Sequence, residues 1–224
     1  MLGLCGWGVW FGLTHDLKKR DELRPAVAER VRNHRPQKWL TNQEISSKTM
    51  RTIVNWEDAN FYRHHGMDRT AIRDAFFADL RALRYAHGGS TITQQLARTL
   101  FLGREKTLRR KLREAVLASR MEEVFSKDEI LNLYLNTADW GSGATGLEAA
   151  SRAYCGKPAA ELDWGDAALL AGMLGNPERF GPVNHPKVAE RRKEQVLEKL
   201  VQERVITTVE FEAAGGTRGG SGRN

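Results

Sequence analysis

Cysteine is nearly absent from this chain. The two present, Cys5 and Cys155, lie far apart in the sequence, which excludes a disulfide framework and cysteine-based metal spacing and leaves both as expected free thiols. Alternating apolar and polar runs are almost missing too, which excludes a strand-rich fold. There is no repeat at a fixed period, no Asp-x-Asp metal motif and no strand-helix nucleotide-binding pattern. Aromatic residues make up only 8% of the chain, and none is interleaved with the cations from Arg104 to Arg120, which counts against single-stranded nucleic acid as a partner. No apolar run reaches the ~20 residues that a membrane-spanning helix needs. The N-terminal run MLGLCGWGVWFGL is too short, and it lacks the basic start of a signal peptide.

What is present is a chain of 224 residues with 41% hydrophobic content and a net charge of +7. That is enough to bury a sizeable core, and it predicts one domain with room for two lobes. The positive balance favours anionic partners: nucleic acid, an acidic membrane surface or a phosphorylated substrate. Residues 1–15 have three readings: the second half of a spanning helix whose start is missing, a monotopic anchor, or a buried helix. The truncated anchor is the favoured one, with Trp7 and Trp10 near the interface. Residues 16–42 read as a charged connector in which Pro25 and Pro36 break any long helix. Residues 43–213 form the folded domain, and 214–224 are a glycine-rich tail.

Within the domain the spacing of apolar residues predicts mainly α structure. A helix begins near Ser46 and carries Ile53 and Trp56 to the acidic pair Glu57 and Asp58. Asp68 caps a helix whose Ile72, Phe76, Leu80 and Leu83 share a face. Ser90 opens a helix on which Ile92, Leu96 and Leu100 face a core. A basic helix follows from about Thr107 to Phe125, and Ser126 with Glu129 reads as a capping box. A glycine-rich loop at 140–146 precedes helices around Leu147–Tyr154, Trp164–Leu174 and Pro186–Gln202.

The stretch WEDANFYRHHGMD, from Trp56 to Asp68, is where the chemistry is expected. It sets Glu57 and Asp58 one helical turn before Phe61 and two before His64, with Gly66 closing the run. A carboxylate held against Trp56 and Phe61 is partly desolvated, which raises its pKa and suits a general base; a surface acidic pair at a helix end is the plain alternative. Gly88 and Gly89 let backbone amides approach a ligand, and Ser90, Thr91, Gln94 and Gln95 add neutral hydrogen-bonding groups that suit sugar hydroxyls and phosphate oxygens. Arg98, Lys106, Arg110 and Lys111 are the cations that could neutralise a departing pyrophosphate, whereas Arg109 and Arg113 read as a solvated face. Glu114 follows Arg110 by four positions and Lys111 by three, either as a surface salt bridge or as a second carboxylate among cations.

The segments EDANFYRHHG, GGSTITQQLAR, RKLRE, KDEILNLYLN and RRKEQVL occur in that order, and together they resemble the five motifs of the peptidoglycan glycosyltransferases, which also form the N-terminal domain of class A penicillin-binding proteins. The resemblance runs from about Trp39 to Glu212. It implies a two-lobed helical glycosyltransferase fold with a lysozyme-like larger lobe and a small membrane-proximal lobe, at the outer face of a bacterial cytoplasmic membrane. The implied substrate is lipid II, the implied partners are the growing lipid-linked glycan, the membrane and cell-wall synthesis proteins, and nucleic acid is not among them. By this matching Glu57 is the general base for the acceptor hydroxyl, and Glu114 is the second family carboxylate. Asp58, Phe61 and His64 match positions that shape the site. Ser90, Thr91, Gln94, Gln95, Arg98, Lys106, Arg110 and Lys111 match positions around sugar and pyrophosphate, while KDEILNLYLN and RRKEQVL look structural in the family. No organic cofactor is implied; a divalent cation, Mg²⁺ or Mn²⁺, fits a pyrophosphate substrate.

Two departures stand out. Arg98-Thr99 occupies the place of a usual Lys-Asn, which keeps a cation and loses an amide, and Phe180-Gly181-Pro182 replaces a commoner Tyr-Asn-Pro. Activity is expected to survive both. Neither Ser-x-x-Lys nor Lys-Thr-Gly occurs, so a monofunctional enzyme indifferent to β-lactams is expected. The competing readings are a muramidase or lytic enzyme, against which the basic track argues because cleaving a neutral glycan releases no anion; a nucleic-acid-binding protein; and a non-catalytic membrane scaffold.

Overall fold

The computed structural model describes residues 17–34, 36–67, 90–103, 105 and 107–217. In chain order its α-helices are α1 (Arg20–His34), α2 (Ser47–Glu57), α3 (Ile92–Phe101), α4 (Leu108–Glu122), α5 (Lys127–Thr137), α6 (Leu147–Cys155), α7 (Trp164–Met173), α8 (Pro177–Phe180), α9 (Pro186–Gln202) and α10 (Thr208–Ala213). Among the described residues there is no strand, only two isolated bridges, His65 with Met67 and Asp139 with Thr145. The expected apolar N-terminal segment, the helix after Asp68, the Gly88-Gly89 pair, Lys106 and the end of the tail lie outside the described residues. No helix among the described residues is long and apolar enough to cross a membrane.

The chain divides into two compact units, and each is assembled from separated stretches. One contains α1 and Asn60–Ala138; the other contains Pro36–Ala59 and the chain from Asp139 onward. In the first unit α3 packs on α4 and α5 through Ile92, Leu96 and Leu100, which are all buried, as their i, i+4, i+8 spacing predicts. Its N-cap is Thr91 and not Ser90: the Thr91 hydroxyl accepts from the Gln94 amide, and the Gln94 side chain reaches back to the Thr91 amide. The box predicted at Ser126 and Glu129 is formed at the start of α5.

The expected break at Pro25 does not occur. Pro25 sits inside α1, where a missing N–H and a ring clash cost ~3 kcal/mol. Burial of Leu23 and Val27 against this unit offsets that, at about 1.5–3 kcal/mol for each side chain. Arg24 fixes the helix further, donating to Glu129 at 3.0 Å and to the Val124 carbonyl at 2.6 Å, with its guanidinium 4.6 Å from the Phe125 ring centroid.

The second unit is built around α7, whose Trp164, Ala167, Ala168, Leu170, Ala171 and Met173 are all buried. Helices α2 and α9 both lie against it and touch each other. Gly172 brings α9 close, since a Cβ there would stand 3.3 Å from Arg192. From α2 this packing takes Thr49, Thr52 and Ile53, and from α9 it takes Ala189, Val196, Leu197 and Leu200.

Candidate active site

In the second unit the acidic pair stands where α2 stops. Glu57 is the last helical residue and is half-buried; Asp58 is the C-cap and is buried. The helix does not run on to Phe61 and His64 as the spacing suggested. Its last amide bond is Asp58 N–H to Val54 C=O at 2.8 Å, and Asp58 leaves helical geometry at φ −160°, ψ 73°. The next carbonyls are taken by a side chain: the Lys199 ammonium donates to Asn55 C=O at 2.6 Å and to Trp56 C=O at 3.4 Å. The chain instead forms a turn in which the Arg63 amide donates to Asn60 C=O at 2.7 Å. Over the Trp56 ring lie Lys199, 5.6 Å from its centroid, and Arg192, 5.4 Å from it.

In the first unit the neutral and basic residues of two distant segments converge. Lys111 of α4 donates to Ser90 Oγ at 2.6 Å, to Gln94 Oε1 at 3.4 Å and to Glu114 Oε2 at 3.1 Å. Arg110 takes the other oxygen of Glu114 and also donates to the Glu105 carbonyl. The Glu114 side chain is only 1% exposed, so this is not the surface salt bridge of under about 1 kcal/mol. It is a buried carboxylate between two cations, and removing one partner of such a group costs about 3–5 kcal/mol. Burial pulls Lys111 down to about 8, and the nearby charges of Arg98 and Arg110 add to the effect.

Gly66 ties the end of WEDANFYRHHGMD to this cluster. Thr91 Oγ1 donates to Gly66 C=O at 2.8 Å. Gly66 holds φ +78°, and a Cβ there would stand 2.8 Å from the Ser119 amide nitrogen, so a side chain is excluded both by conformation and by space.

A third group surrounds Phe61, which is fully buried. Its ring meets Tyr62 and His64 edge-on, with centroids 5.0 Å and 6.3 Å away, and the Lys127 ammonium lies 4.5 Å from its centroid. Lys127 also approaches His64 Nδ1 at 3.5 Å and pairs with Glu122 at 2.7 Å, while Thr93 donates to the same Glu122 oxygen at 2.5 Å. Gln95 is buried, and its Oε1 accepts from the Tyr134 hydroxyl at 3.1 Å. Tyr62 donates to Asp128 at 3.0 Å, and burial together with that carboxylate pushes its hydroxyl up to about 12.

Ser90, Gln94, Arg110, Lys111 and Glu114 are therefore in one cluster, with the Arg98 charge felt by Lys111 and Thr91 linking the cluster to Gly66. Phe61 and His64 belong to a second group in the same unit, and Glu57 with Asp58 ends a helix of the other unit. Lys106 lies outside the described residues. Arg109 is exposed, as its place on the helix suggested, whereas Arg113, expected on the same solvated face, is half-buried. Three contributors went unread in the sequence, Thr93, Glu122 and Lys199, while Lys127 and Arg192 lie in segments that read as structural. Glu122 and Lys127 pair across a helix end, and Lys199 meets α2 from 143 and 144 positions away, so no periodicity marks either. Among the described residues no three His, Cys, Asp or Glu side chains gather as metal donors, and Glu114 is already engaged by two cations. Among the described residues, the side chains do not by themselves make a ligand set for a divalent ion.

Comparison with known proteins adds a further finding. Residues 24–201 match the family described as Transglycosylase. Penicillin-binding protein 1A of Aquifex aeolicus is 44% identical over 176 residues, covering 79% of this chain and 24% of that protein. The biosynthetic peptidoglycan transglycosylase of Thiobacillus denitrificans is 37% identical over 188 residues, covering 82% of this chain and 81% of that protein. The protein of the same name from Nitrosomonas eutropha is 44% identical over 143 residues, covering 64% and 59%. The chain thus spans about a quarter of the length of the Aquifex protein and about four-fifths of the Thiobacillus one.

Proposed function

Because the chain belongs to the transglycosylase family, we propose that it is a peptidoglycan glycosyltransferase that polymerises lipid II into β-1,4-linked glycan, releasing undecaprenyl pyrophosphate. One observation carries the reading from the residues themselves. The hydroxyl and amide of Ser90 and Gln94 meet Lys111, Arg110 and the buried Glu114 in a single cluster, a surface suited to a sugar diphosphate and unnecessary for cleaving a neutral glycan.

In the proposed reaction Glu57 takes the proton of the acceptor 4-hydroxyl while that oxygen attacks the anomeric carbon of the growing chain. The bond to the lipid pyrophosphate breaks as the new one forms, and configuration inverts. Negative charge gathers on the departing pyrophosphate, where Lys111, Arg110, Arg98 and Lys106 neutralise it; fixed cations in a water-poor site need no reorganisation to do so. Glu114 acts by holding Lys111 and Arg110 in place. Asp58, Phe61 and His64 shape the first-motif turn, and Thr91 and Gln95 brace the helix that presents Ser90 and Gln94.

The two-lobed arrangement with a lysozyme-like larger lobe, the location at the outer face of a bacterial cytoplasmic membrane, and partnership with other cell-wall synthesis proteins are parts of the same proposal. The test is polymerisation of purified lipid II by the native chain and by Glu57→Gln. Glycan from the native chain, falling by on the order of 10²–10⁴ in rate in the variant, is the expected result. Shortening of added glycan, or no polymer where a known polymerase makes it, would overturn the proposal.

A further inference from the structure

We infer that Lys199, with Arg192 beside it, is a positioning residue for the Glu57 carboxylate: it ends α2 at that residue and keeps a positive charge next to it. The inference rests on the reading of Glu57 as the base. In a continuing helix the carbonyls of Asn55 and Trp56 would accept from the amides of Ala59 and Asn60. Lys199 occupies both, at 2.6 Å and 3.4 Å, and the helix stops with the Asp58 amide. The position of Glu57 on the last turn is thus set by a side chain of α9.

The electrostatic consequence follows from the same contact. A helix C-terminus carries partial negative charge, which disfavours a carboxylate there. A cation on the terminal carbonyls cancels that field and favours the ionised form. Lys199 and Arg192 are seven positions apart, two turns along one face of α9, and both lie over Trp56. Arg192 is anchored behind by donating to Gly172 C=O at 2.6 Å and by the Phe180 ring, 4.0 Å away. Burial lowers the pKa of each cation, and the negative charge of Glu57 opposes that in both; Glu203 and Asp58 also act on Lys199, and Arg179 acts on Arg192.

The other charged groups on α2 and α7 are engaged elsewhere. Lys48 and Arg51 of α2 lie over the Trp164 ring, and Asp166 of α7 pairs with Lys157 at 2.7 Å. The RRKEQVL segment therefore does more than brace the fold: Arg192 is its second arginine, and Lys199 lies two positions beyond its end.

The deciding measurement is the titration of Glu57 itself, followed by carbon NMR in the ¹³C-glutamate-labelled full chain and assigned by the signal that Glu57→Gln removes. In Lys199→Gln, which keeps a donor for the Asn55 carbonyl and removes the charge, Glu57 is expected to titrate roughly 0.5–1 pH unit higher. Lys199→Arg is expected to restore the native value. Where the chain polymerises lipid II, the acid limb of kcat/KM should move by the same amount in the same variants. A native Glu57 titration in Lys199→Gln overturns the inference, whether or not the chain makes glycan. Absence of glycan from the native chain overturns the functional reading and leaves this readout intact.

Discussion

Lys111 is held between opposed demands. Its ammonium is wanted beside an anionic leaving group, yet burial and the charges of Arg98 and Arg110 bring it down to about 8 from an ordinary 10.5. In the free enzyme it therefore loses its proton as pH rises through about 8, so kcat/KM for lipid II is expected to decline on that side. Lys111→Arg should extend the plateau upward, because a guanidinium stays charged throughout; equal alkaline limbs in the two proteins would contradict this. The stability effect has the opposite sense. Below about pH 8 the group is charged in both folded and unfolded chains, and its burial opposes folding. Between about 8 and 10.5 the unfolded chain binds more protons, so this residue makes folding more favourable as pH rises. The residue types at 90 and 94 and at 110, 111 and 114 were legible in the sequence because their chemistry is unusual for the two helical segments that carry them. That Glu114 is buried was not legible, since its i, i+3 and i, i+4 spacing to Lys111 and Arg110 fits a solvent-exposed bridge equally well.

At the level of elements, helix starts were written more plainly than helix ends. Ser126 with Glu129 forms the predicted box, and the single-position error at Ser90 arose because Ser90 and Thr91 are both good caps. The two caps should differ in weight. Ser126→Ala removes one local acceptor and is expected to cost ~1 kcal/mol. Thr91→Ala also removes the donor to Gly66 C=O, a bond 25 positions long in sequence, so its cost in urea-monitored stability should exceed that of Ser126→Ala by roughly another 1 kcal/mol. Equal losses would mean that the Gly66 contact contributes nothing. The end of α2 was misread for a physical reason: local pattern allowed the helix to continue, and a lysine from α9 stopped it. Pro25 is the converse, a local breaker overridden by the burial of Leu23 and Val27.

For the whole molecule, the mainly helical class was legible from periodicity, whereas the way the chain is divided was not. The second unit needs α2 from near residue 50 to cover α7 and α9, and Ile53 alone is worth about 2 kcal/mol of burial. Residues 139–224 expressed alone are therefore expected to unfold without cooperativity in urea. Joining 36–59 to that fragment through a flexible linker should restore a cooperative transition; a sharp transition without it would contradict the packing described. The same topology sets an order of events during synthesis. Ile53 leaves the ribosome roughly 110 residues before Trp164 arrives, on the order of ten seconds at bacterial-scale elongation rates. For that interval the apolar face of the helix bearing Glu57 has no native cover within its own unit.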